Sequence, residues 1–194
     1  MRGFHPGRCL RAGLRRVLRA ALRSAPPVAL ATLLAGCVPL ASGSSPTSAA
    51  VPQPPVPVAV AQTAAALEAA YRQANFGFIQ ATRPYRPSEP PDLIAVPRTV
   101  YQVVLPKDPD AGYVVIYNAT DPVTAQVLAT SMQQYLESGF GETNFPADAQ
   151  FAVQLYGSTL VFGWYSPGAS TDPSTAASAL EVLRSFGQAF PVVR

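Results

Sequence analysis

The chain has very few of the side chains that supply nucleophiles or bind metal ions. Its 194 residues include one histidine, His5, and two cysteines, Cys9 and Cys37. Residues 38–194 therefore contain neither type. This excludes from them a Ser-His-Asp or Cys-His nucleophile, a histidine-based metal site and an internal disulfide. We expect no metal ligands in this part of the chain.

Other catalytic devices are also scarce. Lys107 is the sole lysine and has no Ser-x-x-Lys context, and the chain lacks a Gly-x-Gly-x-x-Gly motif and a phosphate loop. Paired carboxylates remain as an acid–base device, and Glu142 and Asp148 flank the loop after a predicted helix. Acids near a loop are usually solvated, so we expect no catalytic residues and no cofactor.

Negative charge is confined to one part of the chain. All 11 acidic residues follow Cys37, whereas seven of the 14 basic residues precede it. Residues 38–194 thus hold seven basic and 11 acidic residues, a net charge of −4. Nucleic acids and anionic lipid surfaces attract clustered cations, so this composition predicts neither as a partner.

The N-terminal segment has the layout of a secretory signal. Seven arginines without an acidic residue precede the apolar run Val28 to Ala35, and small residues then lead into a cysteine. The sequence Leu34-Ala35-Gly36-Cys37 resembles the lipobox of bacterial lipoproteins. The resemblance covers residues 1–37. It implies cleavage between Gly36 and Cys37, acylation of Cys37, and attachment to the extracytoplasmic face of a cytoplasmic or outer membrane.

Two other interpretations of this segment are an uncleaved membrane anchor and a cytosolic protein with an arginine-rich start. The run Val28 to Ala35 is far shorter than the roughly 20 apolar residues of a spanning helix. Pro26 and Pro27 would also interrupt a longer helix at its start. The lipoprotein interpretation is therefore the one we adopt.

Composition divides the rest of the chain into three parts. Val38 to Ala61 has no charged residue and six prolines, which predicts an extended tether. A helix is predicted from Gln62 to Ala81 by alanine content and three- and four-residue apolar spacing. The segment from Thr82 to Pro97 holds five prolines, and we call it the Pro-rich arm. The predicted organisation is a signal peptide (1–36), lipidated cysteine and tether (37–61), helix and arm (62–97), and globular domain (98–194).

The globular part is predicted to be α+β. Runs rich in Val, Ile and Tyr around turn residues predict two antiparallel hairpins, and Asp-Pro pairs predict the starts of two helices. The predicted elements are strands at 99–105, 113–119, 149–156 and 159–166, helices at 122–138 and 173–186, and a short edge strand at 191–193.

The order strand-strand-helix occurs twice, which indicates an internal repeat. Thr120 to Ala125 and Thr171 to Ala176 match at five of six positions at the two helix starts. Such a duplication predicts one four-stranded antiparallel sheet with the helices packed on one face.

Aromatic residues on these strands are the remaining candidates for a site. Side chains alternate between the faces of a strand, so both faces of the predicted sheet carry apolar or aromatic residues. Either the N-terminal helix and the arm cover the second face, or it is an exposed binding surface. The candidate surface residues are Tyr113, Tyr117, Trp164 and Tyr165.

The sequence thus predicts a lipid-anchored, extracytoplasmic and non-enzymatic module for binding or assembly in the bacterial envelope. Its expected partners are the membrane, through the anchor, and a protein or glycan. Two alternatives are a carboxylate-dependent hydrolase acting on cell-wall or sugar polymers and a carrier of apolar ligands. The hydrolase would need converging acids with raised pKa values, and the carrier would need a cavity between sheet and helices.

Overall fold

The computed structural model of the chain describes residues 55–194. The predicted signal peptide, with Gly36 and Cys37, and the predicted tether as far as residue 54 lie outside the described residues. The described residues form helices and strands in the order α1 (Val58–Gln73), β1 (Phe78–Gln80), α2 (Pro91–Ile94), β2 (Arg98–Val103), β3 (Tyr113–Asn118), α3 (Pro122–Glu137), α4 (Gly139–Asn144), β4 (Gln150–Tyr156), β5 (Thr159–Tyr165), α5 (Pro173–Arg184) and β6 (Gln188–Ala189).

All the strands belong to one antiparallel sheet with the order β1-β2-β3-β5-β4-β6. The predicted α+β class and antiparallel sheet are confirmed, and β2–β3 and β4–β5 form the two predicted hairpins. The predicted number of four strands is wrong, because the sheet has six. The short strands β1 and β6 add one edge each, and β6 forms at 188–189 rather than at 191–193.

The predicted starts of α3 and α5 are confirmed by their caps. Asp121 accepts hydrogen bonds from the backbone N–H groups of Val123 and Thr124, both at 2.9 Å, and Asp172 accepts one from Thr175. A proline follows each aspartate at the first helical position, where its missing N–H costs nothing. The hydrogen bonds from Thr124 and its neighbours lower the pKa of Asp121 to about 2.

The first helix lies further toward the N-terminus than predicted. It spans Val58–Gln73 instead of 62–81, and Asn75 then adopts a positive φ of 63° that ends the helical path. Phe78 continues the helical spacing in the sequence, but it lies in β1. Its ring stacks between Tyr71 and Tyr101, with centroid distances of 5.2 and 5.1 Å. The aromatic stack, rather than helical periodicity, explains its apolar character.

The helices pack on both faces of the sheet, so the predicted packing on one face is wrong. Alternate residues of the central strands face two separate cores. The core that includes Val115 and Phe162 contains α3 residues, and the core that includes Ile116 and Val161 contains residues of α1 and α5. The second sheet face is therefore covered by α1 together with α5, whereas the Pro-rich arm packs on the α3 face.

The two crossover connections explain this arrangement. From β3 the chain passes through α3 to β4, and from β5 it passes through α5 to β6; each connection skips one strand in the same direction. Because β3 and β5 are antiparallel, the preference for right-handed crossovers places α3 and α5 on opposite faces. If the two strand-strand-helix units were instead related by a two-fold axis between the antiparallel neighbours β3 and β5, α3 and α5 would lie on the same face of the sheet.

A buried ionic network attaches the Pro-rich arm to the sheet. The Glu89 side chain is 2% exposed, and its Oε1 accepts hydrogen bonds from Arg86 Nε at 2.7 Å and Arg98 Nη1 at 3.0 Å. Its Oε2 accepts a hydrogen bond of 2.6 Å from the buried hydroxyl of Tyr117. A buried carboxylate needs such partners, so Glu89 fixes the arm over β2 and β3.

We expect Tyr71 and Tyr117 to remain un-ionised until the protein unfolds in alkali. Burial raises the pKa of both, and the hydrogen bond to Glu89 adds to this for Tyr117. A raised tyrosine pKa contributes stability that is complete below the unfolded value of about 10 and is lost as pH rises above it.

Tyrosinate absorbance and near-ultraviolet circular dichroism, followed together above pH 10, test this expectation. Two of the eight tyrosines should ionise only with loss of the folded signal. Complete ionisation of a fully folded protein would contradict it.

Candidate functional site: an aromatic cleft at the end of the sheet

Three predicted surface residues meet at one end of the sheet. Tyr113 begins β3, and Trp164 and Tyr165 end the neighbouring antiparallel strand β5. With Tyr85 of the arm they form a cleft of about 260 Å³, which we call the aromatic cleft. The residues that line it are Tyr85, Asp108, Asp110, Ala111, Gly112, Tyr113, Trp164, Tyr165, Ser166, Ala169, Ser170 and Ala176.

The rings of the cleft hold one another in place. Tyr85 stacks on Tyr113 with a centroid distance of 4.2 Å and an interplanar angle of 3°. The Tyr85 hydroxyl accepts a hydrogen bond of 2.7 Å from Nε1 of Trp164, whose ring also meets Phe145 edge to face. Burial raises the pKa of Tyr85. The arm residue Tyr85 therefore completes a preformed aromatic wall.

The charged side chains that line the cleft are two carboxylates from the β2–β3 turn. Asp108 accepts hydrogen bonds from Ser170 Oγ at 2.9 Å and from the backbone N–H of Thr171 at 3.3 Å. Asp110 pairs with Arg83 of the arm. Among the described residues, no lysine, arginine or histidine lines the cleft. The cleft thus offers aromatic surface and negatively charged hydrogen-bond acceptors.

Gly112 allows this turn to lie close to β2. It has a φ of 77°, and a Cβ there would lie 2.6 Å from the carbonyl oxygen of Val103. A side chain at this position would therefore displace Asp108 and Asp110.

The loop on the other side of the cleft is held by Asp148. Its carboxylate accepts hydrogen bonds of 2.6 Å from Ser166 Oγ and from the backbone N–H of Gly168. The hydrogen bond from Ser166, followed by that from Gly168, lowers the pKa of Asp148. Glu142 is exposed on α4. Of the two acids that the sequence offered as a catalytic pair, Glu142 and Asp148, Asp148 holds the loop at Ser166 and Gly168 in place.

Tyr117 does not belong to this cleft. It follows Val115 on the same face of β3, but its side chain is fully buried and hydrogen-bonded to Glu89. Its assignment to an exposed binding surface is therefore corrected. Sequence reasoning did not assign Tyr85, Asp108 and Asp110 to this site. The sequence signal for the two aspartates is Asp108-x-Asp110-x-Gly112, which contains part of a calcium-loop pattern. Nothing in the arm's sequence places Tyr85 against Trp164.

Two features are absent from residues 55–194. In this part of the chain no group of three or more His, Cys, Asp or Glu side chains is arranged to hold a metal ion. None of the helices described here has both the length and the apolar character needed to cross a membrane.

Comparison of the chain with protein-family models, with curated proteins and with solved structures finds no match.

We expect Tyr85→Phe to lower the free energy of unfolding by about 1 kcal/mol, because it leaves the Trp164 indole N–H without its acceptor. The emission of Trp164, the sole tryptophan, should change as well. Chemical denaturation followed by fluorescence measures both effects.

Tyr165→Phe is the matched control, since its hydroxyl has no hydrogen-bond partner within residues 55–194. It should leave stability and emission nearly unchanged. Equal effects of the two substitutions would contradict the role of the Tyr85 hydroxyl.

Proposed function

We propose that the protein is a lipid-anchored, extracytoplasmic and non-catalytic module of the bacterial envelope that binds a short glycan segment in the aromatic cleft. The observation that carries the glycan assignment is the convergence of Tyr113, Trp164 and Tyr165 with the carboxylates of Asp108 and Asp110.

This combination fits the chemistry of a sugar ring. A sugar has apolar C–H faces that pack on aromatic rings and hydroxyl groups that donate hydrogen bonds to carboxylates. The volume of about 260 Å³ is near the lower end of the usual range for ligand pockets, which begins at about 300 Å³. We therefore expect the cleft to hold one or two sugar units of a longer chain.

The same structure gives less support to the alternatives. A hydrolase general acid needs a raised pKa, whereas the pKa of Asp148 is lowered and its carboxylate is occupied by Ser166 and Gly168. A carrier of apolar ligands needs a large internal cavity. The cavity between the sheet and α1 and α5 measures about 30 Å³, which is room for about one water molecule.

The anchor is proposed from the sequence Leu34-Ala35-Gly36-Cys37 and the arginine-rich segment before it. Each buried methylene of an acyl chain contributes about 0.8 kcal/mol to membrane binding, so several chains on Cys37 would hold the domain firmly. The charge-free, proline-rich residues that follow would separate the domain from the membrane surface.

Cys37→Ser is expected to abolish incorporation of labelled palmitate and to release the protein from the membrane fraction, because it removes the thiol that carries an acyl chain. Cys9→Ser removes the other cysteine of the chain and is the matched control. It should keep both the label and the membrane association. A purified wild-type protein with the intact mass of the unmodified full-length chain would contradict the anchor.

Titration with a soluble N-acetylglucosamine oligosaccharide should change the fluorescence of Trp164, which reports directly on the cleft. Tyr165→Ala should weaken this binding roughly tenfold or more, because it removes one aromatic surface of the cleft. Tyr156→Ala makes the same chemical change at the far end of β4 and should have no effect.

Equal weakening by Tyr165→Ala and Tyr156→Ala would contradict the cleft as the glycan site. So would the absence of binding to this oligosaccharide and to a maltooligosaccharide of equal length. If a cleft-dependent crosslink to an envelope protein were then found, a protein would replace the glycan as the ligand.

A further inference from the structure

A second concave site lies on the other side of Tyr85. It is a groove of about 700 Å³ between the start of α1, the arm and β2, and we call it the arginine groove. The residues that line it are Pro55, Val56, Pro57, Val60, Gln80, Ala81, Thr82, Arg83, Pro84, Tyr85, Arg86, Pro97, Arg98, Thr99, Val100 and Asn118.

The groove concentrates positive charge in a part of the chain that is acidic overall. Of the seven basic residues in 38–194, Arg83, Arg86 and Arg98 line this one groove. No aspartate or glutamate of the described residues is among its lining residues. The net charge of −4 on residues 38–194 predicts little affinity for anions. It does not reflect the clustering of three arginines in this groove.

Two of the three guanidinium groups, those of Arg86 and Arg98, are held in position by Glu89, which does not line the groove. Arg86 and Arg98 both donate to Oε1 of Glu89, whose other oxygen is occupied by Tyr117. One carboxylate thus orients two cations and neutralises only one of them. The Arg98 side chain is 20% exposed, so a ligand in the groove would meet a partly desolvated and pre-positioned cation.

The third arginine and the apolar wall complete the groove. Arg83 pairs with Asp110, and both side chains are largely exposed, so this surface pair is weak and an anion can compete with it. Val56 and Val100 supply apolar surface to the groove. The start of α1 adds positive potential, because it has neither a side-chain cap nor an acidic residue in its first turn.

We infer that the arginine groove binds the phosphate group of a ligand that also carries an apolar portion. A phosphate has oxygens that point in several directions, so it can accept hydrogen bonds from guanidinium groups on both the arm and β2. The phosphate could belong to a soluble phosphoester or to a lipid headgroup. The groove and the aromatic cleft have Tyr85 as their one common lining residue, and the ion pair between Arg83 and Asp110 also links them.

Calorimetric titration of the full chain, purified in detergent, with inorganic pyrophosphate at low salt tests the inference. Arg83→Gln and Arg98→Lys should each weaken binding roughly tenfold or more. Arg98→Lys retains a positive charge beside Glu89, and Arg83 does not contact Glu89, so both variants should fold. Arg72→Gln is the control, since it removes one exposed charge on α1 outside the groove.

Unchanged binding in Arg83→Gln and Arg98→Lys, or equal weakening by Arg72→Gln, would overturn the site. So would the absence of pyrophosphate binding to the wild type. Tyr165→Ala should keep pyrophosphate binding, which separates this result from a failure of the glycan proposal.

A parallel assay with vesicles of phosphatidylcholine, with and without phosphatidylglycerol, distinguishes the sources of the phosphate. It uses the Cys37→Ser form of each variant, so that the proposed acyl anchor does not itself bind the vesicles. Groove-dependent binding to the phosphatidylglycerol vesicles would assign the phosphate to a headgroup. Pyrophosphate binding without vesicle binding would assign it to a soluble phosphoester. Vesicle binding that is equal in all variants, without pyrophosphate binding, would contradict the groove.

Discussion

The position of the Pro-rich arm depends on the buried carboxylate of Glu89. Its hydrogen bonds to Arg86, Arg98 and Tyr117 join the arm, β2 and β3 at one point. Such a network is weak evidence for stability, because a well-packed apolar core can be equally stable. Its consequence is geometric: the arm places Tyr85 between the aromatic cleft and the arginine groove. This ionic contact thus acts on both candidate sites, alongside the packing of Leu93 in the core that contains α3 residues.

Local signals in the sequence predicted the elements better than their arrangement. Turn residues gave both hairpins, and the aspartates before Pro122 and Pro173 gave the starts of two helices. The number of strands and the side of each helix could not be predicted in this way. β6 has two residues, too few for a pattern, yet it completes the crossover that places α5 opposite α3. The apparent repeat was misleading because a cap motif describes a helix start and carries no information about topology.

The candidate site was predictable where it depends on strands and unpredictable where it depends on the arm. Tyr113, Trp164 and Tyr165 were candidates because they are aromatic residues of predicted strands, and the pairing of β3 with β5 in the structure is what brings them together. Tyr117 could not be separated from Tyr113 by alternation, because both lie on the same face of β3 and only packing under Glu89 distinguishes them. Tyr85 and the three groove arginines lie in or beside a segment without periodicity, so only tertiary structure brings them together.

The two edges of the sheet are its shortest strands, with three residues in β1 and two in β6. Each of these two strands offers only a short row of outward-facing backbone groups to another chain. Under the proposed anchoring, molecules held on one bilayer by acyl chains would meet far more often than molecules diffusing freely. With edge strands this short, such a protein could be crowded on the bilayer without its sheets joining into a continuous intermolecular sheet.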